Sequence, residues 1–209
     1  ILGSLVREVI PQKKDISSRD IYNVSITTCL SKKDEIERPQ YLTKDGMKNI
    51  DVNLTVRELV DILHIAHVNV LNFKESEFDN LLGNGSGAAS LLDASGGLME
   101  SVLRTAEWMM TGKNPKTLEI KQLRGDKSLK VYEATIRANK VKIAAVQGMA
   151  DAIKFFDKLK KDKNLRQIKY VEVMTCPGGC VCGGGTPMLQ DKKNITDRMN
   201  EIYNEEKKA

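Results

Sequence analysis

The chain is 209 residues long, 41% hydrophobic and 29% charged, enough to bury the core of one domain or two small lobes without disulfide staples. Its net charge of +5 comes from acids and bases interleaved along the chain, a pattern that excludes a nucleic-acid-binding stripe. Aromatic residues make up 5%, and no stretch reaches the roughly 20 apolar residues of a spanning helix, so a soluble protein is expected.

The chain opens at Ile1 where a natural start would be Met, and Ile1-Leu2-Gly3-Ser4-Leu5-Val6 enters an amphipathic pattern at once. Upstream sequence is therefore expected to be missing, which leaves targeting unknown, since any targeting peptide would be lost with it. The pattern predicts a helix over 2–9 that Pro11 breaks. Residues 20–28 read as a strand, with Cys29 just past its end. Thr55 is the predicted N-cap of a second helix, which carries Leu59, Val60, Ile62, Leu63 and Ala66 on its apolar side and runs into Val68. Gly83-Asn84-Gly85-Ser86-Gly87 is then a loop. Ser95-Gly96-Gly97 opens a helix reaching Gly112, with Met99, Val102, Leu103, Ala106 and Met110 as its buried stripe.

Lys142-Ile143-Ala144-Ala145-Val146 is a short apolar strand, Gly148 turns the chain, 149–161 repeats apolar residues at helical spacing, and 169–174 is a second strand. Strand, helix and strand within about 33 residues form a βαβ unit, so the expected fold class is α/β, a parallel or mixed sheet covered by helices. Ligands of such sheets gather beyond the carboxyl ends of the strands. The loops of Cys29 and Cys176 would both lie there.

Of the four cysteines, Cys29 stands apart and Cys176, Cys180 and Cys182 cluster near the end. Structural disulfides are usually spread to close loops, whereas tight clustering points to metal or redox chemistry in a reducing compartment, and so to a cytoplasmic protein. Cys176-Pro177-Gly178-Gly179-Cys180-Val181-Cys182-Gly183-Gly184-Gly185-Thr186-Pro187 is rich in glycine and proline. Such a loop permits positive φ and close backbone approach, so thiolates can point inward while N–H groups turn toward an anionic ligand. With two histidines in the chain, sulfur ligation favours iron–sulfur or zinc over a hard cation. A structural zinc loop or a redox thiol pair remains open, although the two-residue spacing of zinc knuckles is absent.

Val171-Glu172-Val173-Met174-Thr175-Cys176-Pro177-Gly178-Gly179-Cys180, followed by Gly183-Gly184-Gly185-Thr186-Pro187, resembles the last cluster motif of the iron-only hydrogenases. Cys29-Leu30-Ser31-Lys32-Lys33-Asp34-Glu35 resembles that family's middle motif, and 95–106, beginning Ser95-Gly96-Gly97-Leu98-Met99-Glu100, resembles a helix start lining its active-site pocket. The segments stand in the family's order, and the resemblance covers essentially the whole chain, 1–209, as the C-terminal portion of the catalytic domain. It implies a 4Fe-4S cubane bridged to a diiron unit with CO, cyanide and dithiolate ligands. Cys29 and Cys176 would ligate the cubane, and Cys180 would ligate it and bridge to the diiron unit. Lys32 would hydrogen-bond a cyanide, Met174 would pack against the diiron site, and Ser95, Gly96 and Gly97 would line the pocket. The implied reaction is reversible reduction of protons to H2. Implied partners are an electron carrier such as ferredoxin, maturation proteins, and the missing N-terminal segment or a partner subunit.

Departures from the family pattern bear on this reading. The first motif, which supplies the fourth cubane ligand and a proton-relaying cysteine, would lie upstream of Ile1. Thr27-Thr28 stands where Met-Pro precedes the middle cysteine, Leu92-Asp93 stands where Phe-Gly is common, and Cys182 is extra, expected as a passive thiol beside the loop. Thr27 and Leu92-Asp93 keep open one alternative, a hydrogen-sensing relative with low turnover, and a second alternative, from a different class, is a hydrogenase-like cluster-assembly protein without a diiron unit. Lys32 and Met174 weigh against the second. His64 and His67 are expected as exposed helix residues, Lys158 to Lys163 as a solvated helix end, and Glu35 as a surface carboxylate or part of a network behind Lys32.

Overall fold

The computed structural model describes residues 1–83, 85–115, 119–137, 139–187 and 192–208. The chain divides into two compact units, Ile1–Asn84 with Gly183–Pro187, and Gly85–Cys182 with Met188–Ala209.

The first unit contains helix α1 (Leu2–Lys14), strand β1 (Val24–Thr27), the short helix α2 (Lys32–Glu35), strand β2 (Val52–Thr55) and helix α3 (Val56–Ile65). β1 and β2 pair in parallel, from Val24 opposite Val52 to Thr27 opposite Thr55. Pro11 does not end α1 as expected. It falls in the last turn, where its carbonyl receives the amide of the left-handed cap residue Asp15, and the helix continues to Lys14. The strand over 20–28 is shorter than the pattern suggested, because Ser18–Asp20 winds into a 3-10 turn capped by Ser17. Buried Arg7 fixes this entry to β1. Its guanidinium donates to the carbonyls of Lys48 at 3.0 Å and of Ser18 and Ile21 at 2.7 Å, and pairs with Asp51 at 2.5 Å.

Strand β2 was not anticipated. Thr55 both ends it and caps α3 as expected, forming a capping box with Glu58 that holds this carboxyl down to about 2, mainly through the Thr55 amide. The helix stops at Ile65 rather than Val68, and it has no buried residue among those described. His64 is exposed in its last turn, and exposed His67 lies beyond it with φ 55°.

In the second unit, helix α4 (Gly87–Ser90) precedes helix α5 (Gly97–Thr111), followed by strands β3 (Leu129–Ile136) and β4 (Asn139–Gln147), helix α6 (Met149–Lys161), strand β5 (Ile168–Met174) and helix α7 (Lys192–Lys208). The loop expected over 83–87 is described apart from Asn84, and its last residue already begins α4. The sheet order is β3-β4-β5, with β3 antiparallel and β5 parallel to β4. The fold class is therefore α/β with a mixed sheet, and the predicted βαβ unit is present.

Met99 and Leu103 of α5 pack on one face of the sheet with Leu123, Ala134, Ile136 and Ile143, while Ala152 and Phe155 of α6 cover Ala144 and Val146 on the other. Burial on both faces explains the continuous apolar run of β4. Lys158, Lys160, Lys161 and Lys163 are exposed at and beyond the end of α6.

The buried face of α5 differs from the expected stripe. Val102 and Met110 are exposed, and Glu100, Ser101 and Arg104 are buried instead. The reason is an ionic cluster: Arg104 pairs with Glu100 at 2.5 Å and with Glu206 of α7 at 2.9 Å, and Arg124 bonds the same two carboxylates at 2.8 and 3.2 Å. Mutual pairing makes it possible to bury these charges beneath the helix.

Candidate functional site

The cysteine loop begins where β5 ends. Residues alternate across a strand, so Glu172 and Met174 share the inward side of β5 and both are buried. The Cys180 thiol lies 4.0 Å from the Met174 sulfur. Cys176 and Cys180 are half-buried, Cys182 is buried, and none of the four cysteines forms a disulfide.

Gly178 and Gly179 give the loop its path. Their φ values are 84° and 98°, and a Cβ on Gly179 would fall 2.6 Å from the Asp93 carbonyl and the Ser95 amide nitrogen. Only glycine fits so close a backbone crossing. Several loop amides, expected to turn toward an anionic ligand, bond within the protein instead. The Gly178 amide donates to Gln147 Oε1 at 2.5 Å, Gly179 to the Cys176 carbonyl at 3.1 Å, and Cys182 to the Gly179 carbonyl at 3.1 Å. The Ser95 amide donates to the Gly178 carbonyl at 3.0 Å, tying the loop to the start of α5.

That helix start is also closed. Ser95 does not cap α5. The N-cap is Gly96, whose amide donates to Glu172 Oε1 at 2.6 Å, and the Met99 amide donates to Glu172 Oε2 at 2.8 Å. Glu172 thus acts from a distant strand as the acidic member of a capping box. Burial pushes its carboxyl up, opposed by these two amides and the nearby Lys130. Lys130, buried on β3, donates to the Ser95 carbonyl at 2.7 Å, and burial draws its ammonium down to about 8. No motif in the sequence assigns a role to Glu172 or Lys130. The available signal was a charged residue at an inward strand position, Glu172 being two residues before Met174.

Cys182 is buried beneath the loop. A Cβ on Gly178 would lie 2.9 Å from its sulfur, and burial pushes the thiol up, opposed by a hydrogen bond with Arg198. Leu92 and Asp93 are exposed, although the Asp93 backbone backs the loop.

Cys29 and Lys32 belong to the first unit. Cys29 follows the carboxyl end of β1, half-buried, and its carbonyl accepts from the Thr27 hydroxyl at 3.2 Å. Thr27 also bonds buried Asn53 at 3.2 Å, so this residue anchors the turn. Lys32 begins α2, and its ammonium pairs with Glu35 at 2.7 Å, both side chains being partly exposed. The glycine tail of the cysteine motif joins this unit: the Gly185 amide donates to the Thr28 carbonyl at 2.9 Å, and Arg57 bonds the Thr186 carbonyl at 2.9 Å. The structure thus brings Ser95, Gly96, Gly97, Met174, Cys176 and Cys180 together in one unit, and Cys29 and Lys32 in the other.

The donor set is sulfur on glycine-shaped backbone, which fits a thiolate-ligated iron–sulfur group. Among the described residues, no three His, Cys, Asp or Glu side chains gather as a ready metal site.

A family model described as iron only hydrogenase large subunit, C-terminal domain, matches residues 1–184. The chain belongs to this family. It is 35% identical to iron hydrogenase 1 of Clostridium pasteurianum, over 92% of the chain and 33% of that protein. It is 34% identical to the periplasmic [Fe] hydrogenase large subunit of Nitratidesulfovibrio vulgaris, over 94% of the chain and 46% of that protein. A variant of the [FeFe]-hydrogenase HydA1 from Chlamydomonas reinhardtii superposes with a TM-score of 0.76 at 28% identity, covering 96% of this chain and 57% of that one. The chain also matches the cytosolic Fe-S cluster assembly factor narfl of Danio rerio at 30% identity, over 99% of the chain and 51% of that protein. It therefore spans between a third and about half of the curated relatives it matches. Among the described residues, no helix is long and apolar enough to cross a membrane.

Proposed function

We propose that the chain is the C-terminal portion of the cluster-bearing catalytic domain of an iron-only hydrogenase, which reversibly reduces protons to H2. The observation that carries this reading is the Cys180 thiol set against the Met174 sulfur, on a loop locked by Gly178 and Gly179, in a chain of this family.

In this reading Cys29, Cys176 and Cys180 would hold a 4Fe-4S cluster, and Cys180 would also help hold an adjoining diiron unit with CO, cyanide and dithiolate ligands. When bound, that group supplies the redox chemistry and the metal at which hydrogen is made or split. The protein's residues bind, orient and seal. Met174 presents a soft apolar wall that keeps water from the site. Lys32, its ammonium steadied by Glu35, offers a charge-assisted hydrogen bond to a cyanide. Ser95, Gly96 and Gly97 line the pocket as close-packed backbone, because Glu172 already occupies the first helix amides. A segment or subunit outside this chain completes the ligand set, maturation proteins deliver the diiron unit, and an electron carrier of the ferredoxin class exchanges the two electrons. The clustered thiols suit a reducing cytoplasm, which cell fractionation tests.

A second reading is favoured by the match to the assembly factor: an iron–sulfur protein without a diiron unit, acting in cluster assembly. Anaerobic infrared spectroscopy of the matured full-length protein separates the two. Iron-bound CO and cyanide bands that shift under hydrogen support the hydrogen site, and turnover then distinguishes an enzyme from a slow hydrogen sensor. Absence of the bands from a matured sample overturns the first reading in favour of the second.

A further inference from the structure

Behind the cysteine loop lies a cation that the proposed chemistry does not use. Lys130 occupies an inward position of β3 at 2% exposure. Its ammonium donates to the Ser95 carbonyl at 2.7 Å and reaches the Ser95 hydroxyl at 3.4 Å. Glu172 and Asp126 are the acidic groups whose fields favour the charge. Burying an ammonium is costly even with such compensation. A methionine would fill this sheet position without that cost, so packing alone gives no account of a lysine here.

Its contact leads to the loop. Ser95 holds the Gly178 carbonyl through its own amide at 3.0 Å, and Gly178 lies midway between Cys176 and Cys180. On the other side, Gln147 holds the Gly178 amide at 2.5 Å, and Gln147 is itself fixed by donating to the Asp126 carbonyl at 2.7 Å. The backbone between the two cysteines is thus clamped at Gly178, and Lys130 secures one jaw.

We propose that Lys130 is a positioning residue for the Cys176–Cys180 loop, acting through Ser95, and that its buried positive charge favours the reduced, more negative state of the cluster those cysteines hold. The second part rests on the iron–sulfur reading above. Charge and hydrogen bonding around the sulfurs set the reduction potential of such clusters, and a buried charge is poorly screened.

The test is an anaerobic redox titration at pH 7, followed by electron paramagnetic resonance, on the matured full-length protein and its K130M and K130R variants, with iron per chain and thermal melting measured alongside. The expected result is that K130M keeps its iron but shows a midpoint shifted to more negative potential and an altered cluster signal. At a fixed potential its ratio of reduced to oxidised cluster falls several-fold, and K130R returns both readouts toward wild type. If K130M does not fold, Lys130→Gln is read in the same way, since it keeps a donor for the Ser95 carbonyl without the charge. Wild-type potential and signal in a folded, neutral variant overturn the inference. A matured wild-type protein that binds no cluster overturns the functional reading first and this inference with it, so iron content distinguishes the two failures.

Discussion

Glu172 on β5 and Gly96 at the head of α5 are joined by a 2.6 Å hydrogen bond from the glycine amide to the buried carboxylate, whose other oxygen takes the Met99 amide at 2.8 Å. One side chain therefore satisfies two helix-start amides and sets the strand that leads to Met174 against the turn of Ser95. Hydrogen bonds to a charged group contribute about 1.5–3 kcal/mol each. Glu172→Gln keeps the shape but loses the charge and turns an NH2 toward one amide, so it is expected to destabilise the chain by about 2–3 kcal/mol. Urea unfolding measures this directly, and a loss within about 0.5 kcal/mol, the range of an ordinary surface substitution, would remove Glu172 from this role.

Gly179 and Gly112 both have positive φ, at 98° and 70°, but a Cβ on Gly179 would meet Asp93 and Ser95 at 2.6 Å whereas one on Gly112 would meet nothing within 4 Å. Gly112→Ala is thus expected to cost about 1 kcal/mol, the conformational penalty alone. Gly179→Ala must also push two backbone segments apart and should cost more than about 3 kcal/mol. Equal melting temperatures for the two variants would show that the crossing is not rigid.

The cysteines of the loop should separate by function. Cys180→Ala is expected to abolish diiron attachment, while Cys182→Ala, which removes a buried thiol packed under Gly178, leaves iron per chain unchanged. Lys32→Ala should weaken retention of the diiron unit, seen as lost CO and cyanide bands, without emptying the cubane. Iron loss in the Cys182 variant would overturn the ligand assignment, and undiminished bands in the Lys32 variant would take that residue out of the site.

Lys130 also makes a pH prediction. Its ammonium is held down to about 8 in the fold, chiefly by burial, from an ordinary value of 10.5. Between those values the unfolded chain binds more protons at this position than the folded chain, so stability rises with pH. The stability of wild type relative to K130M is expected to rise between about pH 8 and 10.5, by up to about 3 kcal/mol, as the cost of burying the ammonium is relieved. Denaturant unfolding across this range measures the slope, and a difference that does not change with pH would show that Lys130 stays protonated throughout.

By itself the sequence determined the βαβ unit and the cysteine loop, because each carries a local signal. Residues 143–146 of β4 are apolar throughout because α5 and α6 cover opposite faces of the sheet, and α6 repeats at helical spacing because one face alone is buried. Gly178 and Gly179 stand where the path requires positive φ. The family motifs around Cys29, Ser95 and Cys176 were legible for a similar reason, since close backbone approach and sulfur chemistry leave little choice of residue.

Only the tertiary structure decided which charges are buried. In β3 the inward residues are Lys130, Tyr132, Ala134 and Ile136, while the apolar Leu129 and Val131 face out, so the alternation hides the strand. In α5, Glu100 and Arg104 displace Val102 and Met110 from the buried face because Arg124 and Glu206 arrive from elsewhere in the chain to neutralise them. A charged side chain reads as exposed until its partner is known, and the partners of Glu172 and Lys130 lie 76 and 35 residues away. Burial of a charge is a property of the pair, and the pair exists only in the folded chain.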